Sequence, residues 1–198
     1  KPQFPLTREA TRAFNIACIE IESYEADDII ATLACQARAA GGRATIISSD
    51  KDLVELVGDG VTMLDPIKTK EIGPEEVEEK FGVGPDRVVD IQALAGDAVD
   101  NVPGAPGIGI KTAALLINEF GDLETLLARA DEIKQPKRRQ TLIDNADQIR
   151  ISKRLVQLDC ETPLEVTDDE MSLRDPDPEV LLEFLNRMEF RTLTNRVA

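Results

Sequence analysis

Histidine and tryptophan are absent from the 198 residues, and aromatic residues make up only 4% of them. Without histidine there is no Ser–His–Asp triad, no imidazole general base and no Cys/His zinc site. Cysteine is scarce as well. Cys18, Cys35 and Cys160 form an odd set without CxxC spacing, which reads as free, mostly buried thiols in a reducing compartment. No apolar run approaches the ~18 residues of a membrane span, so a transmembrane topology and a membrane partner are excluded. Lys1-Pro2-Gln3 is polar and no apolar stretch follows it, so no secretory leader is expected. Positive charge is also in short supply. Lys and Arg number 23 against 38 Asp and Glu, a net charge of −15, which on average repels nucleic acid. Apolar residues are plentiful at 42%, enough for one compact domain, or one plus a small lobe, without staples.

The charge is unevenly distributed. Residues 1–103 carry net −10, residues 104–154 net +2 and residues 155–198 net −7. The middle stretch is cationic through Lys134, Lys137, Arg138 and Arg139, then Arg150, Lys153 and Arg154. A solvated helix face would account for these residues as well as a polyanion-binding surface would.

Periodicity divides the chain into two styles. Residues 5–14 read as a helix with proline near its start. Ala17–Ile21 reads as a short strand, and Tyr24–Ala40 as a helix stopped by Gly41-Gly42. Ala44–Ile47 reads as a buried parallel strand, Leu53–Val57 as a short helix and Val61–Leu64 as another strand. This alternation predicts a parallel α/β sheet with right-handed crossovers. From Pro74 onward only helices are predicted, at 74–81, 85–95, 110–119, 122–129, 137–145 and 147–156. The tail 163–178 reads as a loop and 179–188 as a last helix. The expected division is an α/β core over 1–72, a helical subdomain over 73–160 and a tail over 161–198.

Three acidic groups fall where such folds place their chemistry. They are Glu25-Ala26-Asp27-Asp28, Asp50-Lys51-Asp52 and Gly96-Asp97-Ala98-Val99-Asp100-Asn101. The second lies just past the carboxyl end of a strand, where ligands of α/β sheets bind. The spacing of Asp97 and Asp100 sets both on one side of a helical turn. Each group also has an ordinary structural explanation: helix-dipole complementation for Asp27 and Asp28, capping for Asp52, turn formation for Asp97 and Asp100. Were the three to converge, two carboxylates ~4 Å apart would repel by roughly 4 kcal/mol at an effective dielectric of ~20. Raised pKa values or hard divalent cations would have to relieve this, and ligands that offer only oxygen select Mg²⁺ or Mn²⁺.

A glycine-rich turn follows, Pro103-Gly104-Ala105-Pro106-Gly107-Ile108-Gly109-Ile110-Lys111-Thr112, leading into an apolar helix. Gly107 and Gly109 permit close backbone approach, and the helix start offers unpaired N–H groups to a phosphate. A plain tight turn between helices explains the same residues. Walker A and dinucleotide spacings both fail, because Ile110 separates Gly109 from Lys111 and Thr112 stands where a third glycine would be needed.

Taken in order, Tyr24-Glu25-Ala26-Asp27-Asp28, Asp50-Lys51-Asp52-Leu53, Gly96-Asp97-x-x-Asp100-Asn101-x-Pro103-Gly104 and Gly107-Ile108-Gly109-x-Lys111-Thr112-Ala113 resemble the 5′-nuclease family. That family comprises the 5′→3′ exonuclease domain of bacterial DNA polymerase I and, more distantly, phage 5′ nucleases and flap endonucleases. The resemblance runs from about residue 2 to the end. It implies a PIN-like (resolvase-like) α/β core followed by a helix-three-turn-helix subdomain of the helix-hairpin-helix type. It implies Glu25, Asp27 and Asp28 as ligands of a first metal and Asp50, Asp52, Asp97 and Asp100 as ligands of a second, with Asp27, Asp28, Asp97 and Asp100 catalytic. Mg²⁺ or Mn²⁺ are the implied ions, two in the intact domain. Gly104, Gly107, Ile108, Gly109, Lys111 and Thr112 are implied to grip duplex DNA, with K⁺ at the turn.

The implied partners are DNA with a 5′ end or flap, an RNA–DNA primer and the remainder of a DNA polymerase I chain, toward which 178–191 would lead. The implied location is the bacterial cytoplasm, at the nucleoid. The family's opening strand, with its aspartates, and its basic arch are not matched here. The expectation is therefore duplex binding with little or no cleavage, and a sheet that exposes an apolar edge. The alternative reading is a non-catalytic acidic protein-interaction domain.

Overall fold

The structure is a computed structural model that describes residues 3–198. Lys1 and Pro2, part of the polar opening, lie outside the described residues. The chain forms two compact units: Glu25–Thr162, and the flanking segments through Tyr24 and from Pro163 onward. No helix among the described residues is long and apolar enough to cross a membrane.

The first flank holds helix α1 (Phe4–Ala13). Ala17–Ile21 is not a strand. Its composition favours extended backbone, but a strand needs a neighbour to complete its ladder, and the sheet found among the described residues contains only three strands drawn from later in the chain.

The larger unit begins with α2 (Ala26–Ala39), followed by β1 (Ala44–Ile47), a 3₁₀ turn (Asp52–Leu56), β2 (Val61–Asp65) and β3 (Lys70–Ile72). β1 and β2 are parallel, with Ala44 opposite Val61, as the crossover pattern requires. β3 returns antiparallel, with Met63 opposite Ile72, so the sheet is mixed rather than wholly parallel. The cause is local. The Asp65 carboxylate accepts the N–H groups of Ile67 at 2.9 Å and Lys68 at 3.1 Å, closing a turn too short for a crossover helix. β1 lies at the sheet edge, and Ile47, expected inside, is 67% exposed. An apolar side chain thus stands at the sheet's edge strand, as expected.

Helices α3 (Pro74–Phe81), α4 (Val88–Ala95), α5 (Ile110–Phe120), α6 (Leu123–Ala128), α7 (Pro136–Asp144) and α8 (Ala146–Val156) complete this unit. The middle of the core is α4, whose Val88, Ile91, Ala93 and Leu94 are fully buried. Its one buried carboxylate, Asp90, accepts the Leu123 N–H at 3.1 Å and pairs with Lys153 at 2.7 Å. One member of the cationic cluster is therefore committed to joining α4, α6 and α8. The second flank contributes α9 (Asp168–Met171), α10 (Pro178–Arg187) and α11 (Arg191–Val197). In the smaller unit Ala13 packs with Leu181, Phe184 and Leu185.

Two features hold the backbone that carries the acidic groups. The first is a seam along α2. Asp159 N–H donates to Asp28 Oδ1 at 3.0 Å, Thr32 Oγ1 to the Asp159 carbonyl at 3.1 Å, and Thr162 N–H to Thr32 Oγ1 at 3.1 Å. Cys35 and Cys160 are joined by a disulfide across the same seam, with Cα atoms 6.1 Å apart; Cys18 is free. This corrects the reading of three free, mostly buried thiols, since all three cysteines are half-buried. Partners 125 residues apart become neighbours only where the segment after α8 packs along α2, which spacing cannot reveal.

The second feature is a contact between glycine backbones. Gly96 ends α4 at φ 72°, and a Cβ on Gly96 or Gly104 would collide with the other's backbone. The loop between them closes as a bridge, Asp97 N–H to Val102 O at 2.9 Å and Val102 N–H to Asp97 O at 2.8 Å. Asp97 and Asp100 thus share a bridged turn rather than the predicted helical one, because Gly96 breaks the helix first.

Within the 3₁₀ turn, Glu55 is half-buried. Its Oε1 accepts the Leu158 N–H at 3.3 Å, and its Oε2 has no partner. Burial pushes the carboxyl from 4.5 to about 7. The folded chain therefore holds a proton that the unfolded chain releases between those values, so stability falls as pH rises through this window and then levels off.

Three outcomes are expected. Thiol titration of the native protein should find one reactive group, and three after reduction and unfolding. Loss of the bridge in Cys160→Ser should cost up to about 5 kcal/mol by loop entropy, and a native count of three thiols would rule the bridge out. Thermal melts in chelator between about pH 5 and pH 8 should show stability declining in the native chain and declining less in Glu55→Gln. Urea titration should find Gly104→Ala worse by about 3 kcal/mol and Gly109→Ala within about 0.5 kcal/mol of the native chain; equal losses would refute the packing role of Gly104.

Candidate metal centre and glycine turn

Four stretches of the larger unit bring acid groups to one cavity of about 1310 Å³. Glu25, Asp27 and Asp28 come from the start of α2, Asp50 and Asp52 from the segment after β1, Asp97 and Asp100 from the bridged turn, and Asp159 from the segment after α8. All seven carboxylates singled out in the sequence line this cavity. Ser48, Ser49, Lys51, Lys80 and Arg154 add to its polar wall.

Three of these acids, Asp28, Asp50 and Asp97, commit one oxygen to a backbone N–H. Asp50 Oδ1 accepts the Asp52 N–H at 3.1 Å and so caps the 3₁₀ turn, a role the sequence had offered to Asp52. Asp97 Oδ1 accepts the Val99 N–H at 2.8 Å, while its Oδ2 meets Lys51 Nζ. Asp28 Oδ1 is held by the Asp159 N–H.

Asp52, Asp97 and Asp100 form the tightest group. Each offers one oxygen, and these atoms lie within 4.8 Å of one another. The Lys51 ammonium sits among them, bonded to Asp97 and 3.7 Å and 3.8 Å from oxygens of Asp52 and Asp100. Gln92, from the apolar helix α4, donates to Asp52 Oδ1. The Lys51 bond, with the Val99 N–H, holds the Asp97 carboxyl below the usual range. Asp52 is pushed up by burial despite Lys51, and Asp50 and Asp100 add to the rise. Asp27 is also raised, first by burial and then by Asp50, Asp52, Glu25 and Asp28. Glu25, Asp27, Asp28 and Asp50 share the cavity but stand outside the tight group.

The donor set suits a hard divalent cation. The lining offers carboxylates and hydroxyls but no thiol, and the chain has no imidazole to offer. Oxygen donors of this kind match Mg²⁺ or Mn²⁺, and a lysine ammonium already stands as a cation among three of them. Sequence reasoning missed Gln92, Asp159 and the placement of Lys51. The one signal was Gln92, a polar residue within the apolar run Val88–Ala95.

The glycine turn separates into parts with different duties. Gly104 is consumed by packing against Ala95–Gly96, and Ile108 is 4% exposed in the core, leaving only its backbone for any ligand. Gly107, at φ 78°, and Gly109 both face open space. Lys111 is exposed in the first turn of α5, and Thr112 is half-buried. From behind, α8 steadies the turn. Ser152 Oγ donates to the Pro103 carbonyl, and Gln148 Nε2 to that of Gly104 at 3.3 Å. Of the predicted cationic cluster, Arg150 pairs with Glu124 at 3.0 Å and Lys153 with Asp90, while Arg154 reaches the cavity.

Comparison with known proteins covers both halves of the chain. Residues 1–82 match the 5′-3′ exonuclease, N-terminal resolvase-like domain, and residues 83–179 match the 5′-3′ exonuclease, C-terminal SAM fold. DNA polymerase I of Rhizobium leguminosarum is 57% identical over 197 residues, which cover 100% of this chain and 19% of that protein. The chain thus spans about a fifth of the length of the curated relatives it matches. Among solved structures, the T5 5′-exonuclease with bound divalent metal ions (zinc) superposes with a TM-score of 0.66 at 23% identity, over 87% of this chain and 61% of that one. The bacteriophage T5 flap endonuclease, in a pseudo-enzyme-product complex with DNA and metal ions, superposes with a TM-score of 0.65 at 20% identity, over 90% and 60%. At these identities the likeness establishes the fold. With the carboxylate-bearing α/β half and the glycine-turn helical half matching consecutive parts of a single family, the chain belongs to the 5′-3′ exonuclease domain family of bacterial DNA polymerase I.

Proposed function

We propose that this chain carries the structure-specific 5′ nuclease activity of a DNA polymerase I: metal-ion hydrolysis of phosphodiester bonds at 5′ ends and flaps, as in RNA primer removal and nick processing. The observation that carries the reading is the convergence of seven family-motif carboxylates on one cavity, beside a glycine turn with open space in front of Gly107 and Gly109. The substrate would be a duplex with a 5′ flap or an RNA–DNA primer, met at the bacterial nucleoid.

Asp52, Asp97 and Asp100 would hold one ion, with Asp50 beside them, and Glu25, Asp27 and Asp28 the other. Bound there, such ions supply a lowered water pKa and charge for the phosphoryl oxygens and the leaving 3′ oxygen. The chain's own part is positioning. Asp27, Asp28, Asp97 and Asp100 set the charge that selects hard cations, and the backbone N–H bonds to one oxygen of Asp28 and one of Asp97 help fix its geometry. No side chain need act as general base, which suits a chain without histidine. The products would be a 5′-phosphate and a 3′-hydroxyl. The first turn of α5, with Lys111 and Thr112, would receive a backbone phosphate of the duplex close to the Gly107 and Gly109 backbone. Arg154 and Lys80, at the cavity wall, would meet phosphates nearer the scissile bond. A K⁺ ion at this turn would be held by its backbone carbonyls.

The test is cleavage of an end-labelled 5′-flap duplex in Mn²⁺. Metal-dependent product is expected, reduced on the order of 100-fold or more by Asp97→Asn. Lys111→Glu should weaken duplex binding and lower its salt slope by about one. Binding without product would support the duplex-binding reading with little cleavage. Neither binding nor product would favour the acidic protein-interaction domain.

A further inference from the structure

We infer that Lys51 is a built-in counterion that occupies the cation seat formed by Asp52, Asp97 and Asp100, and that divalent metal enters this seat only by displacing it. The inference rests on the metal-centre reading above and goes beyond it by assigning a competitor from within the chain.

The geometry is specific. Lys51 lies between two of the acids in sequence, Asp50 and Asp52, yet its side chain crosses to the bridged turn and bonds Asp97. Its Nζ is also 3.7 Å from Asp52 Oδ1 and 3.8 Å from Asp100 Oδ2. These are the residues whose oxygens approach one another to within 4.8 Å. One ammonium therefore offsets part of the charge of all three groups. Lysine suits the task better than arginine. It is a compact point charge with three rotatable donors on a flexible stem, whereas a guanidinium presents a planar fork.

The surroundings permit exchange. The Lys51 side chain is 40% exposed while that of Asp97 is 11% exposed, so the cation can swing into water while its partner stays fixed. Asp97 is held independently of Lys51 by the Val99 N–H on its other oxygen and by the Asp97–Val102 bridge. Asp52 is likewise held by Gln92. Two of the seat's three acids therefore keep their place when the ammonium leaves, which an ordinary surface ion pair would not guarantee.

Two consequences follow. Without metal, the ammonium relieves like-charge repulsion and the chain stays folded. With metal, ion binding must overcome the lost Lys51–Asp97 pair and the nearby positive charge, so affinity is lower than the carboxylates alone would give, and occupancy responds to metal concentration.

The experiment is a calorimetric Mn²⁺ titration together with thermal melts, with and without Mn²⁺, on the native chain, Lys51→Met, Lys51→Arg and Asp100→Asn. Lys51→Met is expected to bind Mn²⁺ about tenfold more tightly or better, to melt lower than the native chain in chelator, and to regain that loss at saturating Mn²⁺. Lys51→Arg, which keeps the charge, is expected to show no gain in affinity. A purely structural lysine would not tighten metal binding when removed. If Asp100→Asn weakens Mn²⁺ binding while Lys51→Met leaves it unchanged or weaker, the counterion role is overturned and the metal centre stands. If Asp100→Asn leaves Mn²⁺ binding unchanged, the metal centre itself is overturned, and the role of Lys51 with it. Should Lys51→Met unfold in chelator, refolding by Mn²⁺ supports the inference, and a chain still unfolded at saturating Mn²⁺ overturns it.

Discussion

Like charges resist being brought together, and the larger unit is organised around overcoming that resistance. Seven carboxylates singled out in the sequence, with Asp159, line one cavity, where burial, together with neighbouring acids, raises Asp27 and Asp52. The fold meets the cost in two ways. It satisfies one oxygen of Asp28, Asp50 and Asp97 with a backbone N–H, and it sets the Lys51 ammonium within the tightest group. What remains is a rim of oxygen atoms with excess negative charge, held in place and short of cations. The chemistry of such a rim suits a hard cation.

Rigid backing makes this arrangement durable. The bridged turn that presents Asp97 and Asp100 can form only because Gly96 and Gly104 touch without side chains. The same contact fixes where the glycine turn begins, and Ser152 and Gln148 of α8 hold its carbonyls from behind. A single packing decision thus couples the acidic rim to the open-faced glycines. In the functional reading, one is the chemical centre and the other a duplex grip, and their spacing is set by two backbones in contact.

The excess of negative charge across the whole chain is a poor guide to what it binds. Net charge averages over a surface, whereas a phosphate meets a patch. The cationic stretch is real, but part of it is spent internally: Lys153 neutralises buried Asp90, and Arg150 engages Glu124. Lys111 is exposed at α5's first turn and Arg154 stands at the cavity wall, and Lys134 and Lys137 are exposed as well.

Much of this was legible in the residues themselves. Period and capping placed α2, β1, β2 and the helices from Pro74 to Val156, because those elements rest on local backbone preference and one apolar face each. The ordered motifs named the seven acids and the glycine turn, since backbone approach and carboxylate chemistry tolerate few substitutes. Other features depended on neighbours far along the chain. Ala17–Ile21 lacked a ladder partner, β3 was turned back by the Asp65 carboxylate, Cys35 met Cys160 across 125 residues, and Gln92 and Lys51 found their acids across folded distances. Sequence alone determined which groups could do chemistry, because that is a property of side-chain type. Which oxygens were left free, and which cation already stood among them, only the tertiary structure decided, because hydrogen bonds and Coulomb forces act through space and not along the chain.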